Sequence, residues 1–164
     1  MKTLYLVRHA KSSWDHPGIP DRDRPLEERG ERDAAKMGQR WSHRHVKPQL
    51  ILSSPAVRAL ATAKVIAGSL DTKLKHIVVD DRLYDASADA LIGVIEGLDE
   101  RLERVMLIGH NPGLADLAHH FSSTISQMPT CALAEFIFDV KTWSGIGHAC
   151  PSEVALDSPK QSSA

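Results

Sequence analysis

The chain has 164 residues, 42% of them hydrophobic, which is enough for one domain with a real core and too few for two. Its formal charge of −1 argues against a general nucleic-acid or membrane-surface binder, because neither polyanion would attract it at long range. No apolar stretch approaches the length that spans a bilayer, and the N-terminus opens on strand-like residues with no apolar leader or cleavage site.

Residues 3–7 form a short β-prone apolar run and predict a buried strand. Residues 11–24 are polar and broken by Pro17, Gly18 and Pro20, which predicts a loop. From Pro25, the residues Leu26, Ala34, Met37 and Trp41 recur at near-helical spacing and predict a helix to about residue 43. Leu50-Ile51-Leu52 is a second strand. Ser54 after it is suited to cap a helix, with Pro55 in the first turn and the helix running through residue 67.

Residues 76–79 predict a third strand, and residues 88–96, with Leu91, Ile92 and Ile95 on one side, a helix. A fourth strand over 105–108 stops at Gly109-His110-Asn111-Pro112. A short helix bearing Leu114, Leu117 and Phe121 follows, and then a fifth strand over 132–140. This alternation predicts an α/β fold: a three-layer sandwich with a mostly parallel central sheet and helices on both faces. One domain is expected over residues 1–148. Residues 149–164 hold few apolar side chains and read as a frayed C-terminal tail. The two cysteines, Cys131 and Cys150, fit neither a disulfide framework, a zinc spacing nor a C-x-x-C motif, so a reduced, cytoplasmic protein is expected.

In an open parallel sheet, ligands bind beyond the carboxyl ends of the strands. That rule selects Arg8 and His9 after the first strand, Ser53 and Ser54 after the second, and His110 after the fourth. Arg58 lies one turn into the helix after the second strand, and Tyr84 and Asp85 follow the third. Two arginines and two histidines converging on one rim suit a phosphoryl group. Guanidinium forks match phosphate oxygens, a helix N-terminus adds free N–H groups, and a neutral imidazole can attack phosphorus. Arginines can supply the transition-state charge, so no metal and no cofactor is called for. Gly109-His110-Asn111-Pro112-Gly113 lacks the lysine and spacing of a Walker A loop.

Arg8-His9-Ala10, Ser53-Ser54-Pro55-Ala56-Val57-Arg58-Ala59 with Thr62-Ala63, and Gly109-His110-Asn111-Pro112 together resemble the histidine phosphatase superfamily, which includes the phosphoglycerate mutases. Lys11-Ser12-Ser13-Trp14 and Asp23-Arg24-Pro25-Leu26 with Arg29-Gly30 resemble the small SixA-type phosphohistidine phosphatases more closely. The likeness covers residues 2–140. It implies a phosphoglycerate mutase-like fold, His9 as a nucleophile that becomes phosphorylated, and Arg8, Arg58 and His110 as the residues that hold the phosphoryl group. Asp85 falls where relatives place an acidic proton donor, commonly glutamate, and Ser12 and Arg24 fall in the outer part of the pocket. Ala10 stands where the superfamily usually has glycine, and Asp85 is one methylene shorter than glutamate.

Each assignment has a plainer counterpart. Arg8 and His9 could begin a solvated loop, Arg58 could be an exposed helix residue, and Asp85 a turn aspartate. Ser53 and Ser54 lack a G-x-S-x-G elbow and read as a cap. His43 with His45, and His119 with His120, read as surface histidines, since adjacent helical rings diverge and cannot chelate one ion. The expected function is a cofactor-independent phosphatase acting through His9. Its expected partner is a phosphorylated protein, such as a phosphorelay domain, or else a small phosphorylated metabolite. A phosphatase of small phosphomonoesters and a non-catalytic phosphate-recognition module are the alternatives. Neither nucleic acid nor a membrane is an expected partner.

Overall fold

A computed structural model describes residues 1–160. The strands β1 (Lys2–Arg8), β2 (Leu50–Ser53), β3 (Ile77–Val79) and β4 (Arg104–Gly109) run parallel, while β5 (Leu133–Phe138) and β6 (Glu153–Asp157) run antiparallel to their neighbours. The six-stranded sheet has the order β3-β2-β4-β1-β5-β6.

Side chains alternate across each strand, so the central strands feed two cores at once. Leu4, Leu6, Leu52, Val105, Leu107, Phe136 and Phe138 point to one core. Tyr5, Val7, Ile51, Met106, Ile108 and Leu133 point to the other. The helices α3 (Ala88–Glu96) and α4 (Gly113–Phe121) close the first core through Leu91, Ile95, Leu114 and Leu117. The helices α1 (Glu28–His43) and α2 (Val57–Ser69) close the second through Ala34, Met37, Trp41, Ala63 and Ile66. The layers are therefore helices, sheet, helices, as the alternation predicts. No described helix is long and apolar enough to cross a membrane.

Three boundaries differ from expectation, each because polar groups find partners that the local pattern does not supply. Helix α1 starts at Glu28 rather than Pro25. Residues 25–27 are drawn out against the loop after β1, where Ser13 N–H donates to the Pro25 carbonyl at 2.8 Å and Glu27 N–H to the Lys11 carbonyl at 2.9 Å. Gly30 permits that approach, because a Cβ there would overlap the Lys11 carbonyl. Ser54 does not cap α2. The N-cap position belongs to Ala56, and the Ser54 hydroxyl accepts the Ala56 N–H at 3.2 Å and turns toward His110.

The third difference is the C-terminus. The expected frayed tail over 149–164 instead contains β6, paired with β5 from Leu133↔Asp157 to Ile137↔Glu153. Glu153, Val154 and Ala155 are exposed and only Leu156 packs against the first core, so main-chain pairing with β5 supplies most of what holds β6. Asp157 pins it to α1, accepting from Arg40 Nη1 at 2.8 Å, Trp41 Nε1 at 3.1 Å and Arg44 Nη1 at 3.1 Å. Residues 161–164 lie outside the described residues.

Candidate active site

Sheet register brings the site together. Arg8 is level with Gly109 across β1 and β4, and Ser53 is level with Ile108 across β2 and β4, so the residues just beyond these ends meet at one rim. Arg8, His9, Ser12, Arg24, Arg58 and His110 line a cleft of about 290 Å³ there, with Lys11, Trp14, Asn111 and Thr130. A larger cavity of about 590 Å³ lies at the opposite ends of the strands, among Lys47, Gln49, Lys73, His76 and Arg104. Its titratable groups, Lys47, Asp71, Lys73, His76 and Arg104, are spread over a wide opening, and among the described residues no hydrogen bond joins two of their side chains. The smaller cleft brings two histidines and two arginines together, which makes it the candidate site.

His9 is only 7% exposed. Its Nδ1 lies 2.7 Å from the Ala10 carbonyl, an acceptor, so Nδ1 carries the proton and Nε2 keeps its lone pair. Burial, then the positive surroundings of His110, Arg58 and Arg8, pushes the His9 pKa down to about 3 against the opposing Ala10 bond. The imidazole is thus neutral at physiological pH. His110 stacks obliquely on it, with ring centroids 5.1 Å apart. Its Nε2 lies 2.7 Å from the Ser54 hydroxyl and its Nδ1 3.5 Å from Arg58 Nη2. Burial and Arg58 lower the His110 pKa to about 4, opposed by Asp21 and Asp85.

Arg8 ends β1 and donates from Nη1 to the Met128 carbonyl at 3.2 Å. Arg58 reaches in from the first turn of α2. The Nε atoms of Arg8 and Arg58 are both buried and without a hydrogen-bond partner. A buried guanidinium N–H without an acceptor is costly, and two of them in the wall of one cleft suit an anion with several oxygens. Thr62 braces this wall. Its hydroxyl accepts the Ala10 N–H at 3.0 Å and donates to the Arg58 carbonyl at 2.7 Å, tying α2 to the loop that carries His9.

Of the residues singled out in the sequence, Arg8, His9, Ser12, Arg24, Arg58 and His110 come together in this cleft. Arg24 donates to the Ser12 hydroxyl at 2.8 Å and lies 3.6 Å from the centre of the Trp14 ring. Asp85 does not line the cleft. It is exposed, with backbone in the left-handed region at φ 54°, and its charge is felt at His110. His43, His45, His119 and His120 are exposed, and among the described residues no group of three or more His, Cys, Asp or Glu is arranged to hold a metal.

Sequence reasoning missed Asp21. Its carboxylate accepts from Arg24, Arg58 and the Tyr84 hydroxyl, and these bonds, Tyr84 first, hold its pKa well below the usual carboxylate range. Within Pro20-Asp21-Arg22-Asp23-Arg24 it reads as one charge among several on a solvated loop. No local signal marks which of the two aspartates meets Arg58, 37 residues away.

The family model for the histidine phosphatase superfamily (branch 1) matches residues 4–110. An uncharacterized chloroplastic protein of Arabidopsis thaliana is 35% identical over 141 residues, covering 81% of this chain and 65% of that protein. Phosphoserine phosphatase 1 of Hydrogenobacter thermophilus is 32% identical over 108 residues, covering 63% of this chain and 47% of that one. Among solved structures, the candidate phosphohistidine phosphatase SixA of Agrobacterium tumefaciens superposes with a TM-score of 0.76 at 32% identity, covering 82% of this chain and 90% of that one. The protein histidine phosphatase SixA complexed with tungstate has a TM-score of 0.80 at 21% identity, covering 96% and 97%, a likeness of fold alone. The chain belongs to the histidine phosphatase superfamily, in its SixA-type branch. It is a phosphatase, with the α/β fold of the phosphoglycerate mutase-like proteins.

Proposed function

We propose that the enzyme removes phosphoryl groups through a covalent phosphohistidine on Nε2 of His9, and that its substrate is phosphohistidine on a protein. The observation that carries the mechanism is the Nδ1 bond to the Ala10 carbonyl at 2.7 Å, which leaves Nε2 as the unprotonated nitrogen of a cleft-lining imidazole. Nε2 attacks phosphorus in line as the bond to the leaving group breaks. Arg8, Arg58 and His110 hold the equatorial oxygens, and Ser12 and Arg24 form the outer part of the pocket. Asp85, exposed outside the cleft, is the proposed proton donor to the leaving group. Water then attacks the phosphohistidine, releasing inorganic phosphate and restoring the neutral imidazole.

The protein substrate is supported by the shape of the rim. The connection from β4 to α4 is only residues 110–112, and no inserted segment stands there to close over a small metabolite. Trp14, 76% exposed at the cleft edge, offers apolar surface to a large partner. A phosphorelay domain fits this description. A phosphorylated imidazole also leaves readily once protonated, which suits a site whose carboxylate stands back from the cleft. A reducing, cytoplasmic setting suits the two free thiols, Cys131 and Cys150.

The second reading, a phosphatase of small phosphomonoesters, is favoured by the 32% identity to a protein named phosphoserine phosphatase. A panel of a phosphohistidine protein against phosphoserine, sugar phosphates and phosphoglycerates decides between them by kcat/KM. Dominance of a small substrate by orders of magnitude reverses the choice. His9→Ala is expected to abolish p-nitrophenyl phosphate turnover by more than about a thousandfold and to remove an acid-labile phosphoenzyme. Full activity in that variant sinks the mechanism, and absence of turnover in the wild type leaves a recognition module.

A further inference from the structure

The carboxylate of Asp21 stands between two cleft arginines that arrive from different parts of the chain. Its Oδ1 accepts from Arg24 Nε at 3.0 Å, and its Oδ2 from Arg58 Nη2 at 2.9 Å and from the Tyr84 hydroxyl. Its main-chain carbonyl accepts from Arg58 Nη1 at 2.7 Å. Arg58 is therefore gripped at both terminal nitrogens by one residue, which fixes the plane of the fork. Of its five hydrogens, Asp21 takes two, and the Nε hydrogen has no partner. Arg24 is fixed in turn by Asp21, the Ser12 hydroxyl and the Ser13 carbonyl.

A carboxylate beside a phosphate pocket acts in two opposite ways. Its charge repels the incoming anion, whereas its hydrogen bonds hold the guanidinium groups in one orientation before the anion arrives. The Asp21 side chain is 48% exposed, so solvent screens the carboxylate's side of each ion pair and discounts its share in stability. What remains is aim. We propose that Asp21 is a positioning residue of the phosphoryl site, a fixed carboxylate that directs the Arg58 and Arg24 guanidinium groups at the phosphoryl oxygens. The assignment rests on the reading of the cleft as a phosphatase site built on His9.

The two actions separate in Asp21→Asn, which keeps the shape but loses the charge and the ability to accept at both ends. In this variant kcat on p-nitrophenyl phosphate is expected to fall about tenfold to a hundredfold as the forks lose their orientation. Inorganic phosphate should inhibit with the same or a lower inhibition constant, because an anion has left a cationic cleft. Asp21→Glu restores a carboxylate and should recover part of the lost kcat. Tyr84→Phe removes one donor to Asp21 while sparing both arginines, and should lower kcat only about twofold to threefold.

An Asp21→Asn enzyme at or above wild-type kcat overturns the proposal, since the carboxylate would then merely compete with substrate. So does a parallel loss of kcat and phosphate affinity that Asp21→Glu does not repair, which would indicate general disruption. Failure of the underlying reading shows separately: the wild type would turn over no p-nitrophenyl phosphate and form no acid-labile phosphoenzyme, and both assignments would fall.

Discussion

Two aspartates in this molecule are held alike, each by two arginines and one aromatic donor, and they serve opposite ends. Asp157 joins β6 to α1 through Arg40, Arg44 and Trp41, and also accepts the Ser158 N–H at 2.9 Å. Its side chain is 5% exposed, and four donors occupy its two oxygens. Asp21 meets Arg24, Arg58 and Tyr84 at the edge of a cleft, with half its side chain in solvent. A closed cluster spends its hydrogen bonds on itself and holds the fold. An open one keeps guanidinium donors facing a cleft, where a ligand can use them.

The largest test of that contrast is Asp157→Ala. It leaves the Arg40 guanidinium buried without its carboxylate, which costs about 3 kcal/mol or more. The midpoint of chemical denaturation should drop accordingly, while kcat per folded molecule stays unchanged. At Asp21 the guanidinium groups are buried too, but the carboxylate is half in solvent and asparagine keeps one acceptor oxygen, so Asp21→Asn predicts a smaller loss by the same measurement. Equal losses of stability at the two positions would break the comparison.

A second test uses pH. The folded pKa values of His9, about 3, and His110, about 4, lie below the ordinary histidine value. The unfolded chain therefore binds more protons as pH falls below about 6.5, and stability declines from there down toward the folded values. Replacing both rings, His9→Phe with His110→Phe, should flatten that decline. In an NMR titration both wild-type rings should keep their neutral-form shifts from about pH 8 to about pH 5. Protonation of either ring near pH 6.5 would show that the cleft is less desolvated than its closed counterpart at Asp157.

For stability, the smallest effect is expected at a third aspartate, Asp85, which has no ion pair among the described residues, so its test is one of rate. Asp85→Asn should slow hydrolysis of an alkyl phosphate by about tenfold and barely alter a phosphohistidine substrate, whose imidazole can leave already protonated. Equal effects on both substrates would remove Asp85 from the role of proton donor.

Much of this was legible without a structure because two kinds of signal agree. Apolar runs such as Leu4-Tyr5-Leu6-Val7 and Val105-Met106-Leu107-Ile108 are buried on both faces, so their length and position mark parallel strands. The polar residues that end them, Arg8-His9 and His110, then fall at the rim by topology. Helix α3 is found at the expected residues, 88–96, because its apolar spacing and the Ser87 cap agree. Less legible was the start of α1, since Pro25 to Glu27 pair with the loop after β1 instead of joining the helix. Ser54 was readable as a polar residue at a strand end but not as the partner of His110, 56 residues away.

By itself the sequence determined the layered α/β order, the two-sided burial of the central strands and the delivery of Arg8, His9, Arg58 and His110 to one rim. Each follows from local periodicity and strand direction, which neighbouring residues encode. Tertiary structure alone decided that residues 153–157 complete the sheet, because this edge strand is held by main-chain bonds, one buried aspartate and the half-buried Leu156, too little side-chain burial to make an apolar pattern. It also decided that Asp21 and not Asp23 clamps Arg58. A carboxylate's partner is set by where the chain folds back, and charge alternation on a loop carries no record of that distance.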